Sequence, residues 1–173
     1  MRLRMKPEQQ LESIKKKYAK EIRKALTEVT RVGAEKAMNE VIKRTKDGIG
    51  SNGQKLKPLK ASTIEFRRRW SAFLAKDTSP AKSNLTATGQ LLEALYFRVV
   101  GSRFFIKVNT KTRDQGLGGD DRGLNNDQVR QYVEEAGREF LNLSDKEKAD
   151  LTEFIRKEFE KRLGDVIRSA VSK

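Results

Sequence analysis

Tyr96-Phe97-Arg98-Val99-Val100-Gly101-Ser102-Arg103-Phe104-Phe105-Ile106-Lys107-Val108 is the stretch that decides the fold class. Aromatic and β-branched residues flank a Gly-Ser pair on both sides, and glycine at the first turn position marks a two-residue type II′ hairpin. The pattern predicts strands over 96–100 and 103–108. On the second strand Phe104, Ile106 and Val108 share one face, and Phe105 and Lys107 share the other. Two strands alone are marginal in water, so the hairpin must lie against helices or join a third strand from this chain or an adjacent subunit.

Upstream, the chain reads as helix. Leu11, Ile14, Tyr18, Ile22, Ala25, Val29 and Val32 recur in steps of three and four, and Met38, Val41 and Ile42 continue the apolar face. Pro7 suits a first helical turn, Thr30 to Gly33 is a plausible bend, and the cluster Asp47 to Gly53 ends the helix. Unbroken over 7–46, it would reach ~60 Å at ~1.5 Å per residue, beyond the ~40 Å width of a compact domain of this size. It is therefore expected to project from the domain or to pack on a second copy. Ser62 and Glu65 have capping-box spacing, predicting a short helix with Phe66, Trp70, Phe73 and Leu74 turned inward. Arg67, Arg68 and Arg69 lie beside them, as a solvated face or as a patch for phosphates or an acidic partner. Residues 77–84 read as a polar linker. Thr88 is expected to cap a brief helix bearing Leu91, Leu92 and Leu95, with Gly89 tightening the turn into it.

Downstream, residues 110–127 lack periodicity. Gln115 to Gly123 is neither a P-loop, since no Gly-Lys-Ser/Thr follows, nor a calcium loop, and reads as a flexible surface loop. A helix is predicted over Asp127 to Ala136 with Val129, Tyr132 and Val133 apolar. Ser144 and Glu147 repeat the capping-box spacing. They open a final helix of about five to seven turns, weakly interrupted at Gly164. Its buried stripe is Leu151, Phe154, Ile155, Phe159, Leu163, Val166, Ile167 and Ala170. Phe140, Leu141 and Leu143 form a hydrophobic plug leading into it. The fold class expected is α+β, a small antiparallel sheet (hairpin near 96–108) against long N- and C-terminal helices. The chain divides into a long basic helical segment, 1–46, and an α+β part, 47–173, within one domain.

Composition narrows the function. The 173 residues include no Cys and no His, which removes thiolate nucleophiles, disulfides, the usual zinc ligands and the usual neutral-pH general base. No enzymatic activity, metal or cofactor is expected. No window approaches a membrane span, and the basic start Met1 to Pro7 lacks the apolar core of a signal peptide, so cytoplasmic synthesis is expected. The net charge is +14, and residues 1–76 carry 21 Lys or Arg against 8 Asp or Glu. Residues 77–173 hold 17 against 16, so nearly all the excess is N-terminal. A one-sided field of this kind attracts polyanions, nucleic acid foremost.

Three segments, taken in order, carry a resemblance. The first is Asp47 to Gly53 with Leu56-Lys57-Pro58-Leu59 and Ser62-Thr63-Ile64. The second is Ser83 to Leu95, with Thr88-Gly89-Gln90-Leu91 at its centre, and the third is Gly137-Arg138-Glu139-Phe140-Leu141-Asn142-Leu143-Ser144. Their order and spacing resemble the virion-morphogenesis and tail-completion proteins of tailed bacteriophages, over roughly residues 45–165. Leu56 stands where many relatives have Trp, and Glu139 where they often have Pro. The resemblance implies an α+β, ring-forming protein of the head–tail joint, a neck, tail-completion or tail-terminator component without chemistry of its own. It would be assembled in the host cytoplasm and located at the virion neck. It would form a closed homo-oligomeric ring of about six or twelve copies, contacting portal or connector proteins on one side and tail proteins on the other. Lys15, Lys16, Lys17, Arg67, Arg68 and Arg69 are then candidates for weak, non-specific contacts to the DNA passage or to an acidic neighbour. Arg138, Leu117 and Arg122 are candidate subunit contacts. The alternative is a non-specific nucleic-acid-binding protein acting through the basic N-terminal half. A carboxylate-based enzyme ranks far below both.

Overall fold

The computed structural model describes residues 7–74, 78–85, 89–111 and 124–171. Its helices are α1 (Pro7–Lys46), α2 (Ala61–Arg69), α3 (Gln90–Glu93), α4 (Asn126–Glu135) and α5 (Asp145–Val171). Strands β1 (Leu95–Val100) and β2 (Arg103–Val108) pair as an antiparallel hairpin, and a 3-10 turn, Ser71–Phe73, follows α2. The class is α+β, with the two long helices at the ends of the chain, as the periodicities require.

Helix α1 is continuous through Thr30–Gly33, where a bend was plausible. Gly33 serves packing instead. A Cβ there would lie 2.8 Å from Cδ1 of Ile155, and the next small residues, Ala34 and Ala37, are fully buried. This strip of small residues lets α5 run close beside α1. Arg44 meets Glu147, Lys36 lies over the Phe154 ring at 5.3 Å, and Gly33 touches Ile155, so the two helices are antiparallel. Helix α5 is likewise unbroken at Gly164, and its 27 residues make it slightly longer than expected. Burial along α1 begins at Ala25; from Glu12 to Lys24 only Tyr18 and Glu21 are even half-buried.

The main core lies where the C-terminal part of α1 meets the hairpin. Val41, Leu91, Leu92, Ala94, Leu95, Val108 and Phe140 are buried together, and Met38, Ile106, Val129 and Val133 pack around them. The hairpin register pairs Leu95 with Val108, Phe97 with Ile106 and Val99 with Phe104, placing all six on the face turned to α1. Gly101 has φ +62° and Ser102 lies outside the left-handed region, as a type II′ turn requires. No third strand joins the sheet among the described residues.

Several expectations are corrected. Leu95 opens β1 and does not belong to the brief helix. That helix has Gly89, at φ +77°, as its N-cap, and Thr88 falls outside the described residues. The Ser62–Glu65 capping box does not form. The chain turns helical at Ala61 with Lys60 as N-cap, which places the Ser62 hydroxyl inside the first turn. Trp70 is exposed, lying just past the end of α2 at Arg69. Phe66 and Leu74 are half-buried. On the other helices Ile14, Ile22, Tyr132 and Ile167 are exposed although their spacing matches the buried stripes.

Leu92 tests the core directly. It is 4% exposed at the centre of the cluster. Leu92→Ala is expected to cost about 2–5 kcal/mol in denaturant melts, through lost transfer energy and a residual cavity. A loss below ~1 kcal/mol would place it outside the core.

Candidate functional site

The residues singled out by the sequence fall into two groups, those that tie the fold and those that face solvent. The tying group sits where the three motif segments meet. Arg44, at the C-terminal end of α1, is buried. Its Nη1 pairs with the Glu147 carboxylate, and its Nη2 donates to the carbonyls of Phe140 at 2.5 Å and Asn142 at 2.8 Å. Glu147 also closes the expected capping box of α5, accepting from the Ser144 amide at 2.7 Å, while its own amide donates to Ser144 Oγ at 3.3 Å. Phe140 is thereby inserted, fully buried, into the core.

Arg138, a candidate subunit contact, bonds within its own chain. Its Nε donates to the Lys57 carbonyl at 3.1 Å and its Nη2 to the Pro58 carbonyl at 3.0 Å, fastening the third segment to the first. The Ser51 amide donates to the Glu139 carbonyl at 2.9 Å in the same direction. The second segment is fastened by Ser83, whose hydroxyl donates to the Lys57 carbonyl at 2.7 Å. Asn84 is completely buried, accepts from the Thr78 hydroxyl at 2.8 Å and donates to the Lys46 carbonyl at 3.4 Å. The described part of the expected polar linker is thus tied into the fold. Sequence reasoning missed Arg44 and Asn84, since a polar side chain bonded to remote carbonyls leaves no periodic signal.

The arginine triplet is split. Arg67 is buried, with Nη1 donating to the Lys82 carbonyl at 3.0 Å, whereas Arg68 and Arg69 are exposed. Burial, and then the nearby charge of Arg138, lower the Arg67 pKa below the usual arginine value. Arg67 is therefore part of the junction and does not share a surface patch with its neighbours. Arg69 bridges to Glu65 at 3.0 Å across one helical turn. Lys15, Lys16 and Lys17 are all exposed on the part of α1 that precedes its first buried residue, Ala25, with Lys15 bridged to Glu12 at 3.1 Å. Successive helical residues are rotated by about 100°, so these three lysines spread around the helix. Leu117 and Arg122, with most of the Gly-rich loop, lie outside the described residues.

A further surface was not recognised as a candidate from sequence. The solvent face of the hairpin carries Tyr96, Arg98, Val100, Arg103, Phe105 and Lys107, all exposed. Period-two alternation through both strands is the signal that could have found it. Among the described residues no cluster of His, Cys, Asp and Glu could hold a metal ion, and no helix is long and apolar enough to cross a membrane. Comparison with protein-family models, curated proteins and solved structures finds no match to this chain.

The junction makes an energetic prediction. Glu147→Ala leaves the Arg44 charge buried without its carboxylate and should cost about 3–5 kcal/mol. Ser144→Ala removes only a helix cap and should cost about 1 kcal/mol. Equal losses in denaturant melts would show that the ion pair adds nothing beyond the cap.

Proposed function

We propose that this protein is a structural subunit of the head–tail joint of a tailed bacteriophage. In this reading it is a neck or tail-completion ring component that links the portal-proximal connector to the tail around the DNA passage. One observation carries the proposal: the three sequence segments that bear the resemblance converge on a single junction. Arg138 reaches Lys57 and Pro58 across about 80 residues, the Ser51 amide reaches the Glu139 carbonyl, and the Ser83 hydroxyl reaches the Lys57 carbonyl. Motif residues used to join segments, through carbonyl and cap contacts, support a scaffold more than a reaction site. The function then resides in surfaces.

The first such surface is the projecting part of α1. Ile14 and Ile22 are uncovered among lysines there, 50% and 38% exposed. Ile167 on α5 is also uncovered, and it lies about twenty residues beyond the Arg44–Glu147 contact, as Ile22 does on α1. Because the helices are antiparallel, both isoleucines belong to the same end of a two-helix arm. Apolar side chains within a basic rim fit a neighbouring subunit, with lysines left for the DNA passage or an acidic neighbour. The mechanism is geometric: each subunit grips the next through the arm while the compact core keeps its shape.

Deleting residues 1–24 removes no residue described as buried and should leave the thermal melt of the core intact. In the virus that encodes the protein, the same deletion should yield DNA-filled heads without joined tails in electron micrographs. Normal yields of tailed infectious particles would overturn the proposal. The alternative, a non-specific nucleic-acid-binding protein acting through the basic N-terminal half, separates by salt. A ring subunit should lose weak DNA binding by about 0.2–0.3 M salt while its apolar subunit contacts persist.

A further inference from the structure

The two faces of the hairpin differ sharply. On the inner face every cross-strand pair is apolar. On the outer face Tyr96 opposes Lys107, Arg98 opposes Phe105 and Val100 opposes Arg103, so each pair joins one cation to one apolar side chain. No carboxylate among the described residues lies on this face. The diagonals complete the pattern. Arg98 is diagonal to both Arg103 and Lys107, and Phe105 is diagonal to both Tyr96 and Val100. Diagonal neighbours in an antiparallel pair lie roughly 7–8 Å apart, so the cations form one zigzag row and the apolar groups another.

This arrangement is costly when bare. Three like charges stand in a row without a counter-ion side chain among the described residues, and Tyr96, Val100 and Phe105 remain 43%, 53% and 48% exposed. On α4, the helix packed against β2, Asp127 and Glu134 are already engaged by Arg130. A second copy of this chain, itself strongly basic, is a poor match for the row. A duplex offers phosphates but keeps its base faces stacked, and an acidic peptide offers charge without flat rings. Single-stranded nucleic acid offers a line of phosphates and exposed base faces together, the combination that aromatic sheet platforms bind.

We propose that the outer face of the β1–β2 hairpin binds single-stranded nucleic acid, with Tyr96 and Phe105 stacking on unpaired bases and Arg98, Arg103 and Lys107 holding phosphates. This goes beyond the head–tail reading and does not rest on it. The face binds without sequence preference, because every base has a flat face to stack.

Fluorescence anisotropy on the full chain tests it, using labelled oligo-dT, oligo-rU and a duplex, each about a dozen nucleotides long. The single strands should bind about tenfold or more tightly than the duplex, and the tighter of dT and rU identifies DNA or RNA as the source. Tyr96→Ala and Phe105→Ala should each weaken single-strand binding about fivefold or more, while Tyr96→Phe, which keeps the ring, should bind like the parent. Replacing Arg98, Arg103 and Lys107 together by Gln should flatten the slope of log K against log salt by about 2, at roughly 0.7 per phosphate for single strands. Because these side chains face away from the core, all variants should keep the parental melt. Duplex binding as tight as single-strand binding would overturn the proposal. So would Tyr96→Ala and Phe105→Ala variants that fold and bind like the parent.

Discussion

A buried guanidinium, that of Arg44, holds the two ends of this chain together. Without its acceptors it would be an unpaired charge inside the protein, a state that costs several kcal/mol. Those acceptors are the Phe140 and Asn142 carbonyls and the Glu147 carboxylate, so the end of α1, the approach to α5 and the first turn of α5 must sit in one fixed relation. Once they do, the Phe140 ring enters the core and α5 is directed back along α1. The strip Gly33, Ala34 and Ala37 then sets how closely the helices run. The hairpin and α3 complete the other side of the same core.

A division of labour follows. Near the junction the polar side chains satisfy carbonyls and carboxylates of their own chain and are not free for partners. Away from it, on the outer hairpin face and the tip of the two-helix arm, cations and apolar side chains are left facing solvent together. Neither surface contributes much to the core, so each is able to change its contacts without unfolding the protein. Contacts made at such a periphery need not disturb the centre.

The long helices, the hairpin and the Ser144–Glu147 cap were legible in the sequence, because each is a local pattern of fixed period or spacing. The same periodicity misplaced Ile14, Ile22, Trp70, Tyr132 and Ile167. A helical stripe shows which side chains share a face, and not whether anything in the chain covers that face. Ser62–Glu65 failed for a related reason: a capping box depends on where the helix begins, and Lys60 caps it two residues early. Arg44, Arg67 and Asn84 were illegible as junction residues, since each donates to a backbone carbonyl remote in sequence. Arg138, expected as a candidate subunit contact, spends its guanidinium on the Lys57 and Pro58 carbonyls of its own chain.

Phe140 also imposes an order on synthesis. The core into which it fits is contributed by residues 38–108 and by α4, all of which leave the ribosome earlier. Until the last fifth of the chain emerges, that core lacks its largest fully buried side chain and α1 lacks the helix that covers its small-residue strip. The nascent chain is therefore a helix and a hairpin with open apolar surface, the kind of intermediate prone to association. The cations along the exposed hairpin face and the lysines of α1 then act as gatekeepers, keeping unfinished chains apart while the closing segment is still being made.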